Sequence, residues 1–283
     1  MKVLVTGATG FIGFHVINNL LGRNVEVIAS STSVEKAKNK IWFSKVVFIE
    51  HDLNEQTTDN IFEKFKEPDA VIHLAWAGLP NYQSLFHFEQ NLYQHYYFLK
   101  NLILNGLKDV TVTGTCFEYG MKNGCLSEDM ITDPSNPYGI AKDSLRRFLQ
   151  QVQNEKPMLL KWVRLFYMYG KGQSAKSLLA QLEAALQRGD QTFNMSGGEQ
   201  IRDYLPVEDV AEHIVNIALQ KEITGIINCC SGKPSTVKQL VQGYIKRSGK
   251  SINLNLGYYP YPGYEPMEFW GSDEKLNQVK RTV

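Results

Sequence analysis

Apolar positions in the first half of the chain alternate between two spacings. Val3-Leu4-Val5 is a short unbroken apolar run; Ile12, Val16 and Leu20 then fall four apart on one helical stripe, predicting a helix over 13–21; and Val25-Glu26-Val27-Ile28-Ala29 returns to a strand pattern. Strand, helix and strand close within about thirty residues, the length of one βαβ unit. The same reading predicts strands at 46–50, 70–74, 110–114 and 159–166, and helices at roughly 58–66, 84–105 and 137–154. Strands that alternate with helices imply a parallel sheet covered on both faces, hence a doubly wound α/β architecture.

Beyond about residue 166 the alternation loosens. Helices are expected at roughly 174–188 and 207–220, with a turn at Gly197-Gly198 between them. This divides the chain into a sheet domain over 1–166, onto which 203–228 packs back, and a smaller mixed region over 167–283. Pro260, Pro262 and Pro266 forbid long helix in the Tyr258–Trp270 tail, which reads as an ordered loop laid against a pocket.

Composition changes the picture mainly by exclusion. The 283 residues carry 30 Lys+Arg and 29 Asp+Glu, a net charge of +1, which offers no global attraction to nucleic acid or to an anionic membrane. Neither a signal peptide nor a membrane-length apolar run is visible, and Cys116, Cys125, Cys229 and Cys230 form no C-x-x-C pair, so a cytoplasmic protein with reduced thiols is expected. The six histidines show no ligand cluster, so no metal is expected.

Candidate chemistry begins between the first strand and first helix, at Gly7-Ala8-Thr9-Gly10-Phe11-Ile12-Gly13. Three glycines at this spacing allow a tight turn, close approach of a pyrophosphate, and packing of the helix on the sheet. The free N–H groups at the helix start then hold the anion. The end of the second strand selects the dinucleotide. Ser30-Ser31-Thr32 and Lys36 stand where an NAD site usually carries a carboxylate, so NADP (NADPH) is favoured, with NAD open as the alternative and a plain Ser-rich turn as the bland reading. Asp52-Leu53 fits an adenine contact, and His73-Leu74-Ala75-Trp76 ends the fourth strand near the pyrophosphate.

Tyr138 and Lys142 are four apart, on one helical face. A phenol is a poor acid or base near neutrality, and a nearby ammonium favours its phenolate, which would bring Tyr138 toward a working range.

With Thr113-Gly114-Thr115 at a predicted strand end, these pieces resemble the extended short-chain dehydrogenase/reductase family, the nucleotide-sugar epimerases, dehydratases and ketoreductases built on a Rossmann sheet. The matching residues are Thr6 to Gly13, His73-Leu74-Ala75, Asn91, Thr115 to Gly120, Tyr138-x-x-x-Lys142, and Arg202-Asp203-Tyr204-Leu205-Pro206-Val207-Glu208-Asp209-Val210-Ala211. The resemblance implies that Tyr138 is the acid/base, that Lys142 tunes it and bonds the nicotinamide ribose, and that Thr115 holds the reacting oxygen. It places Asn91 by the cofactor and Arg202 on the substrate diphosphate. It also implies a homodimer through paired long helices, for which the Leu92, Tyr96, Leu99, Leu102 stripe is a candidate.

Departures narrow the chemistry. The 4,6-dehydratases carry an Asp-Glu pair where Cys116 and Phe117 stand, and epimerases often have Asn where Tyr167 stands. Cys116, Phe117, Tyr167 and Arg202 are therefore expected around the substrate of an NADPH-dependent 4-ketoreductase. Such an enzyme would act on a dTDP- or CDP-linked 4-keto-6-deoxysugar and supply a deoxysugar for surface polysaccharide such as O-antigen. A 4-epimerase with retained NAD and a dinucleotide sensor without chemistry are the alternatives. Trp76 and the Tyr93, Tyr96, Tyr97 group read first as core or interface and second as stacking surfaces, and Trp270 and Asp273 as pocket residues or as a helix cap.

Overall fold

The computed structural model describes residues 1–55 and 59–281 and places seven parallel strands in one sheet. From edge to edge they run Val47–Glu50, Glu26–Ser31, Lys2–Thr6, Ala70–His73, Asp109–Thr115, Leu159–Leu165 and Gly225–Cys229. The chain leaves the central Lys2–Thr6 strand toward one edge and then crosses to build the other half from Ala70–His73 onward. A crevice therefore opens above the carboxyl ends of these two neighbours, where order reverses. One core cluster packs the Phe11–Gly22 and Val207–Leu219 helices on one face of the sheet, and another packs Leu92–Leu104 and Pro137–Glu155 on the other.

The phosphate-type loop is positioned by its glycines. Gly7 has φ +67°, and a Cβ there would lie 2.8 Å from the Ala75 nitrogen, while a Cβ on Gly13 would lie 2.3 Å from the Gly7 carbonyl oxygen. A side chain at either position would push the helix start away from the crevice.

Two helices are shorter than the periodicity predicts. Within the described part of 58–66, only Ile61–Lys64 is helical; Asn60 caps it, and Lys66 and Glu67 at φ 59° and 51° end it, while position 58 lies outside the described residues. The predicted 84–105 helix opens with a π-helical turn, His87–Asn91, and is regular only over Leu92–Leu104. Of its Leu92, Tyr96, Leu99, Leu102 stripe the three leucines are buried in the protein's own core and Tyr96 is half-buried against it, so the stripe faces the core. The exposed face of this region instead carries Tyr93, Tyr97, Ile140 and Phe148.

The later elements form a small cluster of their own, in which Leu179, Leu182, Leu186 and Phe193 pack against Val237 and Val241 of a helix, Val237–Ser248, that the sequence reading missed. Trp270 lies in a short strand beside Cys125, and the Asp273 side chain accepts from Asn277 Nδ2 (2.8 Å) in the helix it precedes without capping that helix's backbone N–H groups; neither residue lines the cleft described below. Among the described residues, no helix is long and apolar enough to cross a membrane.

Candidate active site

Thr115 ends the fifth strand, where the chain turns into a short 3-10 helix, Cys116–Tyr119. The turn is set from below. Glu118 Oε1 accepts from the Thr115 N–H (2.8 Å) and from Trp162 Nε1 (2.9 Å), and Oε2 accepts from Arg164 Nε (2.7 Å), with Glu118 and Arg164 both fully buried. A buried carboxylate is stable only when paired in this way, and the pairing locks the backbone that carries Thr115.

Tyr138 stands in the first turn of the Pro137–Glu155 helix, whose start is set by Pro137 and by Asn136 Oδ1 accepting from the Gly139 N–H (2.8 Å). Burial pushes the Tyr138 phenol well above its ordinary range, the charges of Tyr82, Glu118 and Cys116 add to this, and a hydrogen bond with the Thr115 side chain opposes it. This shift favours the protonated phenol, and Tyr138 and Thr115 line the same cleft.

Lys142 departs from its expected part. Its Nζ donates to the Thr113 carbonyl (2.9 Å) and stands 3.9 Å from the centre of the Trp76 ring. Burial lowers its pKa to about 7, against the pull of Glu118. The i, i+4 spacing puts Lys142 on the face of Tyr138, but its long stem carries the charge past the phenol to the indole. The phenol is raised, where the sequence reading expected an ammonium to lower it.

Trp76 is gripped on two sides. Its ring stacks on His95 (centroids 4.5 Å, planes at 18°), and its Nε1 donates to His87 Nδ1 (3.1 Å), whose Nε2 lies 2.9 Å from the Asn81 carbonyl. An indole only donates and a carbonyl only accepts, so His87 is the neutral Nε2–H tautomer. His95 Nδ1 in turn lies 2.7 Å from His73 Nε2, and His73 Nδ1 lies 2.8 Å from the Thr6 hydroxyl. Burial first, then the Lys142 charge, lowers His73 to about 3. His87 and His95 were not expected at the site; only their proximity in the fold reveals them.

Thr115, Tyr138 and Trp76 border one cleft of about 610 Å³, lined by Gly7, Gly10, Phe11, Ile12 and Gly13 on one side and by these three with Cys116 and Phe117 on the other; Lys142, His87 and His95 are not among its lining residues. Leu74 also lines it, and Ala75 backs Gly7. The helix that starts at Phe11 has no side-chain cap and no acidic residue in its first turn, which suits an incoming pyrophosphate. Asn91 is buried, donates to the Ala77 carbonyl (2.9 Å), and keeps an unpartnered Oδ1. Thr9 is half-buried in the loop. A dinucleotide fits this crevice.

The ribose end differs from expectation. Ser31 is paired in register with Glu50, and Glu50 Oε1 accepts from the Val34 N–H (2.9 Å), so a carboxylate does stand at the end of the second strand. Sequence reading looked for it on that strand, whereas it arrives from the next one. Ser30 is buried, and Thr32 and Lys36 are exposed. Asp52 Oδ1 accepts from Asn54 N (3.0 Å) within its own turn, and Leu53 packs on the core.

On the substrate side, burial and the neighbouring Glu265 push the Cys116 thiol up to about 12, which removes it as an acid or base at neutrality. Tyr167 lines the cleft, and its hydroxyl donates to Glu265 Oε2. Arg202 is buried and does not line the cleft; its Nη2 lies 3.1 Å from Glu265 Oε1, and its Nη1 donates to the Ile201 and Met267 carbonyls (2.8 and 2.9 Å). The expected diphosphate residue is therefore occupied by a carboxylate from the 258–267 segment. That segment does lie against the pocket, with Tyr264 packed near Tyr82 and Phe117.

The chain is similar to known proteins along most of its length. The chain is 29% identical over 273 residues, 96% of its length and 100% of the relative's, to a dTDP-6-deoxy-L-talose 4-dehydrogenase (NAD(+)) of Aggregatibacter actinomycetemcomitans. It is 24% identical to a UDP-glucose 4-epimerase of Neisseria meningitidis serogroup C, covering 98% of this chain and 94% of that protein. Among solved structures, the UDP-N-acetylglucosamine 4-epimerase from Methanobrevibacter ruminantium M1 superposes with a TM-score of 0.86 at 22% identity, over 98% of this chain and 91% of that one, a likeness of fold. Residues 3–230 match the model of the NAD dependent epimerase/dehydratase family, and the chain belongs to that family of nucleotide-sugar-modifying enzymes.

Proposed function

We propose that the protein interconverts a 4-keto and a 4-hydroxy group on a nucleotide-linked 6-deoxysugar, working as a 4-ketoreductase in the reducing direction. The observation that carries this reading is that Tyr138 and Thr115 line one cleft together with the glycine loop, beside Cys116 and Phe117, neither of which is a carboxylate. One proton donor without a second acid/base pair suits reduction of a ketone and does not suit elimination of water. The relative of 29% identity is a 4-dehydrogenase of a dTDP-6-deoxysugar, the same chemistry in reverse.

The bound nicotinamide dinucleotide would supply the hydride. Thr115 would hold the sugar O4 as negative charge builds there, and Tyr138 would give that oxygen its proton. Gly7 to Gly13 would seat the pyrophosphate, Asn91 and Lys142 the nicotinamide side, Ser30 to Thr32 the adenosine ribose, and Asp52-Leu53 the adenine. NADP was the expected cofactor, and Lys36 supports it. Glu50 weighs more, because a carboxylate repels a 2′-phosphate, so NAD(H) is the proposed cofactor. Tyr93, Tyr97, Ile140 and Phe148 would be covered in a homodimer.

The test is absorbance of reduced nicotinamide with dTDP-, CDP- and GDP-linked 4-keto-6-deoxysugars, run with NADH and with NADPH. Substrate-dependent oxidation by one nucleotide series supports the reading. Interconversion of ordinary nucleotide hexoses without net oxidation would favour the 4-epimerase.

A further inference from the structure

Arg202 and Tyr167 build a site for an oxyanion, and the protein fills it with its own carboxylate. The Arg202 side chain is 3% exposed and that of Glu265 is 10% exposed. One Glu265 oxygen takes the guanidinium and the other takes the Tyr167 hydroxyl, so two donors from different elements converge on one anion. The Phe269 ring lies 4.5 Å beneath the guanidinium and keeps water from that face. A planar Arg fork with an adjacent phenol would receive a phosphate oxygen equally well.

The carrier of Glu265 is built differently from its partners. Arg202 and Tyr167 belong to strand pairs, whereas Glu265 lies on the irregular stretch between Asn253–Asn255 and Phe269–Gly271. That stretch exposes Tyr258, Tyr259, Tyr261 and Tyr264. The stretch is anchored by the buried Pro266 and by the Met267 carbonyl, which accepts from the Ile201 N–H and from Arg202 Nη1, so the replaceable member of the trio is the Glu265 side chain alone. Cations are also scarce nearby: the one cation lining the cleft among the described residues is Lys176. Arg202, once freed of Glu265, would add a second cation for a dianionic ligand.

We propose that Glu265 is a built-in occupant of the Arg202–Tyr167 anion site, displaced by the substrate diphosphate, and that it thereby sets the charge a ligand must bring to bind. This rests on the nucleotide-sugar reading above. A tethered carboxylate competes at high local concentration, so an uncharged nucleoside does not displace it and a diphosphate pays for the exchange with its additional charge.

Calorimetric binding of dTDP, with UDP and GDP alongside and thymidine as the uncharged control, tests the idea on wild type, Glu265→Gln and Glu265→Asp. The expected result is that the preferred nucleoside diphosphate binds Glu265→Gln about tenfold more tightly, a change of roughly 1.4 kcal/mol. Glu265→Asp, which keeps the charge but withdraws it by one methylene, should fall between, and thymidine should not change. Should Glu265→Gln fail to fold, Glu265→Asp decides by the same sign. Equal or weaker diphosphate binding in the variants overturns the proposal, because Glu265 would then orient Arg202 and not compete with the ligand. Absence of binding by every nucleoside diphosphate to every form overturns the nucleotide-sugar reading itself, and the proposal with it.

Discussion

Lys142 and Trp76 meet face to face, the ammonium 3.9 Å from the ring centre and hydrogen-bonded at the same time to the Thr113 carbonyl. This contact only partly offsets removal of the charge from water, since burial still lowers Lys142 to about 7. In the unfolded chain the lysine keeps its ordinary pKa of 10.5. Between these two values the unfolded state binds the extra proton, so stability rises with pH across that window. Lys142→Met should therefore raise Tm more at pH 6 than at pH 10. A gain that is flat across this range would show that Lys142 is not held at the lowered value.

Tyr138→Phe removes the proton donor but leaves the ring contacts with Trp76 and Tyr82 (6.0 and 5.6 Å between centroids) in place. Turnover should fall at least about a hundredfold with little change in Tm. Thr115→Val should lower kcat more than it raises KM, because its bond to O4 strengthens as charge develops. Steady-state kinetics on both variants checks this, and near-normal kcat in Tyr138→Phe would remove the phenol from the mechanism.

The position of Glu50 beside Ser31 makes a prediction about cofactor choice. Wild type should show the higher kcat/KM with NADH, and Glu50→Gln should raise kcat/KM for NADPH several-fold, about the effect of removing one screened repulsion of roughly 1 kcal/mol. A wild-type preference for NADPH that Glu50→Gln leaves unchanged would return Lys36 and the serines to the leading role.

Glu118 is fully buried and holds Arg164, Trp162 and the Thr115 backbone together. Glu118→Ala leaves the Arg164 charge unpaired in the interior, where Nη1 and Nη2 already have no hydrogen-bond partner, and should cost roughly 3–5 kcal/mol. Urea unfolding measures it; a loss below about 1 kcal/mol would mean that the pair contributes little beyond a hydrophobic replacement.

The parts of the site that were legible in the sequence are those whose chemistry is written in neighbouring residues. The Gly7 to Gly13 loop, Thr115 at a strand end and the Tyr138/Lys142 spacing each carry a local pattern tied to a recognisable element. Glu50, Glu118, Glu265, His87 and His95 carry none. Glu118 meets Arg164 across 46 residues, and Tyr167 meets Glu265 across 98, so only the assembled sheet and the returning 258–267 segment bring them together. The same holds for two long cationic side chains. Lys142 and Arg202 were placed by spacing and resemblance, but the direction of a long cationic side chain is decided by the nearest carbonyl, ring or carboxylate in the fold. The sheet was legible for the opposite reason, since each βαβ unit closes locally.

The central claim is hydride transfer to C4 of a nucleotide-linked 4-keto-6-deoxysugar. It is tested most directly by incubating the protein with NADH deuterated at the nicotinamide C4 and the 4-keto substrate, then locating the label by NMR. The account predicts one deuterium at sugar C4 on a single face for each NADH oxidised, and no transfer in Tyr138→Phe. Label that stays in the cofactor while nucleotide hexoses epimerise at C4 would contradict it.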